Sequence, residues 1–247
     1  MSESSLRVGV VTSSRADYGL LYWLIKELND DSSIDLKLMI TGSHLLKKHG
    51  YTKDKIISDG FKISDEIQIY DNNSEINVAS AFSKCIDSFN ETLQNSKIDI
   101  LVLLGDRYEI LSVAIAATLL NIPIAHIHGG ESTFGSYDEA FRHSITKMSH
   151  LHFTSTSEYA KRVIQLGECP ERVHNVGALG IESIRKLKLI SKKELEEKIC
   201  FSFNKKNILV TYHPTTIDAI SPSVQINNIL SALDCIDEVN IIFTSAN

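Results

Sequence analysis

The sequence predicts an α/β protein built on a doubly wound parallel sheet. Short apolar runs of strand length alternate along the chain with longer segments in which apolar residues recur every three to four positions, as on one face of a helix. The short runs are mostly apolar throughout, which is typical of parallel strands that are covered on both faces. Strands and helices that alternate in this way form parallel sheets through right-handed crossover connections.

The apolar runs predict strands, in chain order, at Val8–Val11, Leu36–Ile40, Ile67–Ile69, Ile100–Leu104, Ile122–Ile127, Leu151–Phe153, Val173–Val176, Ile208–Tyr212 and Val239–Phe243. Helical spacing predicts helices over Asp17–Leu28, Glu75–Leu93, Tyr108–Leu120, Asp138–Ser149 and Val224–Ile236. The charged segment Gly177–Lys198 is predicted to be a helical connector, with Ser191 as an N-cap before Glu194.

A chain of 247 residues with 43% hydrophobic side chains can bury one large core or two modest ones. We predict an N-terminal domain over residues 1–180, a helical connector over 181–204 and the start of a second domain over 205–247. Two strands and one helix cannot cover both faces of a parallel sheet, so the second domain is expected to be incomplete and the chain truncated within it. In the alternative, the last elements extend the first sheet.

Composition and charge exclude several classes of partner. The formal charge of −6 is spread without basic blocks, so no nucleic-acid partner is expected. No run approaches the roughly 20 apolar residues of a membrane span, and the N-terminus lacks a signal-peptide pattern. The four cysteines lie far apart, which argues against a zinc ribbon or a disulfide framework. We therefore expect a soluble cytoplasmic protein with a small-molecule ligand.

Polar side chains cluster where the predicted strands end, and the carboxyl ends of parallel strands border the crevice in which ligands bind. They are Arg15, His44, Asp106, Arg107, His126, His128 and Glu131, followed by Asp138, Glu139 and Arg142 at the start of a helix. Converging carboxylates can divide acid and base roles, and arginines can clamp phosphate. The plainer alternatives are a surface Arg15 paired with Asp17, a solvated His44, a helix-capping Asp106, an Arg107 paired with Glu109 and an ordinary charged first turn.

Two other kinds of site find little support in the sequence. His126 and His128 share a face of their strand, but a zinc site needs a third or fourth ligand that this spacing does not supply, so no metal is expected. No GxGxxG fingerprint follows the first strand, so no dinucleotide cofactor is expected. The pair Gly129 and Gly130 is predicted to let a ligand approach the backbone closely.

The predicted second domain supplies two further candidates. His213 follows the strand NILVTY and precedes Pro214, so we expect it on a rigid loop that faces the first domain across a cleft. A neutral imidazole there can donate to a ligand oxygen or move a proton. Asn247 ends the last strand and is expected to reach the same cleft. The plainer alternatives are a histidine at the edge of the core and a strand-end turn.

Seven motifs carry a resemblance to a known family. They are SRADYGLL, TGSHLL, LGDRYE, HIHGGE, DEAFRHSITKMSHLHF, VGALGIE and YHPTT. In order and spacing, across nearly the whole chain, they resemble the hydrolysing UDP-N-acetylglucosamine 2-epimerases of sialic-acid biosynthesis. The resemblance implies two Rossmann-like domains of the glycosyltransferase-B type, release of UDP and N-acetylmannosamine without a metal or nicotinamide cofactor, and a homodimer or homotetramer.

The resemblance also implies a mechanism and roles for the candidate residues. A base removes the proton at C2 of the sugar as UDP leaves, and water then adds to a 2-acetamidoglucal intermediate. The residues matched to catalysis are Asp106, His128, Glu131, Asp138, Glu139, Arg142 and His213. Those matched to binding of the nucleotide sugar are Arg15, His44, Arg107, His126 and Asn247.

Two features depart from the family pattern. Several members carry glutamate at the position of His128, so the imidazole either replaces that carboxylate as a base or indicates another sugar, such as UDP-N,N′-diacetylbacillosamine. The family also continues beyond Asn247 into a half that grips uridine and diphosphate, so this chain by itself is expected to turn over weakly or not at all. A glycosyltransferase of the same fold and a non-catalytic binding module are the alternatives.

Overall fold

The structure is a computed structural model that describes residues 5–47, 50–70, 77–214 and 220–244. The chain divides into two compact units, Met1–Thr133 with Asp138–Arg185 and Phe134–Tyr137 with Lys186–Asn247. The three-part division at 180/181 and 204/205 stays a prediction.

Strands and helices alternate through the first unit, as the apolar runs predict. In chain order its elements are β1 Leu6–Thr12, α1 Arg15–Asp30, β2 Ile34–Thr41, α2 Lys53–Ser58, β3 Ile63–Ile67, α3 Val78–Ser96, β4 Ile100–Leu104, α4 Tyr108–Leu119, β5 Ile124–Ile127, α5 Asp138–Met148, β6 Leu151–Thr154, α6 Ser157–Gln165, β7 Val173–Asn175 and α7 Leu179–Lys186. A short 3-10 helix over Gly42–Leu45 follows β2.

The seven strands of this unit form one sheet in the order β3-β2-β1-β4-β5-β6-β7, and every neighbouring pair is parallel. The predicted α/β fold with a parallel sheet is therefore confirmed. The strand order reverses between β1 and β4, and in sheets of this kind a crevice opens at the carboxyl ends of the two strands beside the reversal. This position is occupied by the loops that follow β1 and β4.

The core of the first unit lies on both faces of the sheet, as β4 illustrates. Leu101 and Leu103 point to one side, where they pack in a buried cluster with Phe89 of α3. Val102 and Leu104 point to the other side and join a second cluster that includes residues of α1 and α2. Because successive side chains of a strand alternate between faces, a strand covered on both sides must be apolar throughout. The run at residues 100–104 predicts β4 correctly for this reason.

Two local predictions are wrong in detail. The strand expected at Ile67–Ile69 lies at Ile63–Ile67, where partly buried and exposed residues alternate. It is an edge strand of the sheet, in which apolar and polar residues alternate, and the predicted segment overlaps it only at Ile67. Helix α1 begins at Arg15, before the predicted start at Asp17, and is capped by Ser14, whose hydroxyl accepts from the Asp17 amide at 3.3 Å. The Asp17 carboxylate accepts from the Ser13 hydroxyl at 2.6 Å. The short helices α2 and α6 are not anticipated by the sequence pattern.

The second unit contains α8 (Lys192–Ile199), β8 (Asn207–Val210), α9 (Pro222–Leu233) and β9 (Asn240–Phe243). Strands β8 and β9 pair in parallel, with α9 as the crossover between them. At α8 the predicted N-cap is confirmed, since Ser191 and Glu194 each accept from the backbone amide of the other in a reciprocal capping box. Across the described parts of the chain, no helix combines the length and the apolar character that crossing a membrane requires.

Candidate active site

An ion pair between Asp106 and Arg142 lies at the carboxyl end of β4. Asp106 follows β4 directly, and Arg142 extends from α5 with only 7% of its surface exposed. The guanidinium contacts Asp106 Oδ2, and its Nη1 donates to the Thr133 hydroxyl at 3.1 Å. This contact confirms that the first turns of α5 lie against the loop after β4.

Two further carboxylates, Asp138 and Glu131, act on Asp106 of this pair. Burial raises the pKa of Asp106 above its usual range, Arg142 opposes the rise, and the charges of Asp138 and Glu131 add to it. A carboxyl group that is partly buried among other carboxylates tends to keep its proton, which is the property a general acid needs near neutral pH. The arrangement can therefore supply both a proton donor and proton acceptors to one ligand.

Glu131 lies within a small hydrogen-bonded group at the ends of β5 and β6. Its Oε1 accepts from the Ser155 hydroxyl at 2.6 Å and lies 3.3 Å from His128 Nδ1. Ser155 follows β6 directly, and His128 follows β5 with a left-handed φ of 64°. Burial lowers the pKa of His128, against the opposing charge of Glu131.

His126 is buried inside β5 and both of its ring nitrogens have protein partners. Nε2 lies 2.8 Å from the Gly105 carbonyl, so Nε2 carries the proton. Nδ1 lies 3.2 Å from the Thr146 hydroxyl, which also lies 3.0 Å from the Arg142 carbonyl and has one proton to donate to either of them. Burial lowers the pKa of His126 to about 3. This geometry favours a role in fixing the Gly105 turn before Asp106 over direct contact with substrate.

His44 occupies an equivalent buried position after β2. Its Nε2 lies 3.0 Å from the Thr12 hydroxyl at the end of β1, and its Nδ1 lies 2.7 Å from the Thr52 hydroxyl. Burial lowers the pKa of His44 to about 4. The imidazole therefore ties the loop after β2 to the end of β1. The alternative of a solvated loop histidine is wrong, because His44 is fully buried.

Arg107 forms an ion pair with Glu109, which is one of the alternatives predicted from the sequence. Its Nε and Nη2 donate to the two carboxylate oxygens at 3.2 and 2.9 Å. Glu109 is fully buried in the first turn of α4 and also accepts from the Tyr70 hydroxyl at 3.1 Å. The Arg107 side chain keeps 41% of its surface exposed, so it can bind an anion while Glu109 fixes its direction.

Glu139 and Arg15 have contrasting surroundings. Glu139 accepts from the Ser132 hydroxyl at 2.9 Å and the Thr133 amide at 2.8 Å, and these bonds hold its pKa below the usual range. It therefore fixes the loop before α5, which favours a positioning role. Arg15 is exposed at the start of α1, and no hydrogen bond or ion pair joins it to another described residue, so the alternative of a pair with Asp17 is not seen.

The two candidates from the predicted second domain belong to the part of the chain that follows the first unit. His213 is exposed in the second unit, after β8. Asn247 lies outside the described residues. Within the described ranges, no group of three or more His, Cys, Asp and Glu side chains is arranged to hold a metal ion.

The glycine pair after β5 packs against the protein itself. A Cβ on Gly129 would lie 3.0 Å from His126 Nδ1 and from Thr146 Oγ1. At Gly130, with a φ of 78°, it would lie 2.5 Å from the Tyr159 carbonyl oxygen of α6. The close approach predicted from the sequence is therefore real, but it is an approach to β5 and α6 instead of one to a ligand.

Gly130→Ala is expected to destabilise the first unit by about 3 kcal/mol or more, because it combines a left-handed φ with a backbone clash. Gly60→Ala is the matched control: its φ is 91° but no atom lies within 4 Å of the added Cβ, so about 1 to 2 kcal/mol is expected. Urea unfolding followed by the fluorescence of the single tryptophan, Trp23 in α1, measures both. Equal losses would show that the clash at α6 relaxes freely.

The model of the family described as UDP-N-acetylglucosamine 2-epimerase matches residues 26–247. The chain belongs to this epimerase family. It is 47% identical over 224 residues to polysialic acid biosynthesis protein P7 of Escherichia coli, covering 90% of this chain and 57% of the relative. It is 38% identical over 245 residues to the GDP/UDP-N,N′-diacetylbacillosamine 2-epimerase (hydrolyzing) of Campylobacter jejuni, covering 99% of this chain and 64% of the relative.

Solved structures agree on the fold of this epimerase family member. The UDP-N-acetylglucosamine 2-epimerase of Neisseria meningitidis, solved with UDP-N-acetylglucosamine, aligns with a TM-score of 0.76 at 21% identity. The alignment covers 97% of this chain and 73% of that chain. The chain thus spans about three fifths of the length of the two sequence relatives named above.

Several residues of the candidate site are missed by sequence reasoning. Thr133, Thr146 and Ser155 bond to Arg142, His126 and Glu131 respectively, but isolated hydroxyl residues give no pattern in a sequence. Ser155 has a usable signal, since it follows a predicted strand in the same way as the other candidates. The residues that the structure brings into one group are Asp106, His128, Glu131, Asp138 and Arg142.

Proposed function

We propose that the protein containing this chain is a hydrolysing 2-epimerase that converts UDP-N-acetylglucosamine to UDP and N-acetylmannosamine. The observation that carries the proposal is the group of carboxylates Asp106, Glu131 and Asp138 around Arg142 at the carboxyl ends of β4 and β5. Membership of the epimerase family supports the reaction class. The name of the E. coli relative connects that relative with polysialic acid and supports an N-acetylmannosamine product.

The proposed reaction requires two proton transfers and a leaving group. A carboxylate takes the proton from C2, the C2–H electron pair forms the C1=C2 double bond, and the C1–O bond breaks with its electron pair leaving on UDP. Water then adds to the 2-acetamidoglucal, with its oxygen on C1 and a proton delivered to C2 from the opposite face. The reaction consumes one water. Of the proton taken from C2 and the proton lost by the attacking water, one restores the acid and the other is released to solvent, so the enzyme returns to its starting protonation state.

The side chains differ in the parts they play. The raised pKa of Asp106 suits it to hold a proton for delivery, and Arg142 orients it. Arg15 and Arg107 are proposed to contact the diphosphate, since both expose a guanidinium beside strand ends. His44 and His126 are proposed to position the loops around them. His213 and Asn247 stay predictions.

A second substrate, UDP-N,N′-diacetylbacillosamine, is favoured by a specific observation. The C. jejuni relative that carries this substrate in its name aligns with 99% of this chain. The chain also has His128 where several family members have glutamate. Both sugars carry a 2-acetamido group and a UDP leaving group, so the same chemistry serves either.

Release of UDP from each sugar nucleotide, measured with the gene product that contains this chain, tests the proposal. We expect UDP and a free 2-epimerised sugar without any acceptor, and a kcat/KM at least tenfold higher for one of the two substrates. Higher turnover of UDP-N,N′-diacetylbacillosamine would replace the first substrate with the second. UDP release that depends on an added acceptor sugar would identify a glycosyltransferase instead, and tight UDP binding without turnover would identify a binding module.

We also propose that the protein is cytoplasmic and forms a homodimer or homotetramer, as the family resemblance implies. The apolar faces of α3 and α4 give no support to a particular interface, because residues such as Phe89 and Val113 are buried within the first unit. Light scattering on the purified gene product measures the assembly, and a monomer at micromolar concentration would contradict this part.

A further inference from the structure

The hydrogen bonds of His128 fix which of its ring nitrogens carries the proton. The Leu179 amide, at the first residue of α7, lies 3.4 Å from Nε2, and a main-chain N–H can only donate. Nε2 therefore presents its lone pair to the amide. In the neutral ring the proton must be on Nδ1, which faces Glu131 Oε1 at 3.3 Å.

Ser155 acts on the same carboxylate oxygen as His128. Its hydroxyl donates to Glu131 Oε1 at 2.6 Å. The Ser155 hydroxyl and the His128 Nδ1 thus both lie against one oxygen, and no hydrogen bond within the described residues engages Oε2. A carboxylate held in this way has one oxygen fixed by the protein, while the other oxygen keeps its lone pairs for a ligand.

We propose that His128 and Ser155 are positioning residues that hold Glu131 through Oε1 and leave Oε2 as the base for the proton at C2 of the sugar. This inference rests on the proposed function. In the step, the C2–H bond breaks and the proton goes to Oε2, the electron pair forms C1=C2, and UDP leaves with the electrons of the C1–O bond. Asp106, whose pKa is raised by burial, then supplies the proton for hydration at C2, and the attacking water gives up a proton as its oxygen bonds to C1.

The same geometry argues against His128 as the base. A basic His128 is one of the two interpretations of the histidine that stands where several family members have glutamate. A neutral imidazole has one lone pair, and in His128 the Leu179 amide engages it. Protonation would bring two N–H groups face to face at Nε2. Burial and Arg142 also lower the pKa of His128, while Glu131 opposes them, so the ring is neutral at neutral pH.

Variants at Ser155 and His128, made in the gene product that contains this chain, distinguish a Glu131 base from a His128 base. Ser155→Ala is expected to lower kcat about 10- to 100-fold with KM nearly unchanged, and to move the acidic limb of the kcat profile to higher pH, because a hydrogen bond to a charged group is lost. Ser155→Thr keeps the hydroxyl and is expected to restore most of kcat. Ser144→Ala, an exposed serine of α5, is the matched control and is expected to leave kcat unchanged.

His128→Asn is expected to lower kcat by no more than about 100-fold and to retain the acidic limb, because the base is Glu131. Loss of that limb together with a fall beyond about 10³-fold would identify His128 as the base and overturn the proposal. An unchanged pH profile in Ser155→Ala would also overturn it, since a purely structural serine would alter stability without moving the limb.

A measurement that needs no turnover keeps this inference separate from the proposed function. The ring nitrogens of His128, assigned by comparison with His128→Asn in ¹⁵N-labelled protein, are expected to show a protonated Nδ1 and an unprotonated Nε2 at mildly alkaline pH. The opposite tautomer would refute the assigned geometry even in an active enzyme. If the protein shows the expected tautomer but releases no UDP from either sugar, the proposed function and the role of Glu131 as a base are refuted. The contacts among His128, Ser155 and Glu131 would still stand.

Discussion

Asp106→Asn is expected to lower the rate at which the free 2-epimerised sugar forms by about 10² to 10⁴, the range by which a positioned acid or base contributes to an enzymatic rate. The substitution keeps the size and shape of the side chain but removes the exchangeable proton. It also replaces a carboxyl oxygen that contacts the guanidinium of Arg142. Both effects act on the group of residues that carries the proposed function, so the loss should lie in kcat more than in KM.

The control for this variant is Asp35→Asn, which removes an exposed carboxylate paired with Lys37 at the opposite end of β2. We expect its kcat to equal that of the unmodified protein. Urea unfolding of both variants shows whether lost activity reflects lost structure, since breaking a buried ion pair costs stability as well. A folded Asp106→Asn protein with less than a threefold loss of kcat would remove Asp106 from the mechanism.

Acidification from pH 7 to pH 5 is expected to destabilise the first unit by about 3 to 4 kcal/mol through His44 and His126 alone. The folded pKa values are about 4 and about 3, below the ordinary value of 6.5. Below pH 6.5 the unfolded chain takes up protons that the folded protein refuses, so stability falls as the pH falls. Each group contributes about 2 kcal/mol over this interval.

The pH dependence of unfolding, followed by the fluorescence of Trp23, isolates each histidine. His44→Gln and His126→Gln are each expected to reduce the loss between pH 7 and pH 5 by about 2 kcal/mol, whatever their effect at pH 7. Thr146→Val removes a partner of His126 but keeps the buried imidazole, so its loss on acidification should match that of the unmodified protein. A histidine variant with an undiminished loss would show that its imidazole already titrates normally in the folded state.

How well the sequence predicts an element of this fold depends on whether one or both faces of that element are buried. Strand β4 is apolar throughout because both faces are buried, and its predicted and observed bounds coincide. The edge strand β3 has one polar face, so the nearest apolar run indicated the wrong residues. The cap at Ser191 is readable because its reciprocal bond to Glu194 requires only a local spacing.

The sequence predicts where the residues of the candidate site lie, but not which groups their side chains contact. Strand ends indicate Asp106 and Glu131 because topology alone brings them near one crevice. Whether a side chain faces a ligand or the protein depends on contacts that are distant in sequence. His44 and His126 illustrate this, since hydroxyls from other elements occupy their nitrogens. The Leu179 amide that fixes His128 lies 51 residues away, and no local pattern indicates it.

These carboxylates are proposed to carry out proton chemistry at C2 of a UDP-linked 2-acetamido sugar. The most direct test is to run the reaction in deuterium oxide with the gene product that contains this chain and to examine the released sugar by NMR. We expect free UDP and a product with one deuterium at C2, and we expect Asp106→Asn to lose the deuterated 2-epimerised sugar. Release of UDP with the original hydrogen retained at C2 would contradict it, because the C1–O bond would then break without the carboxylates removing that proton.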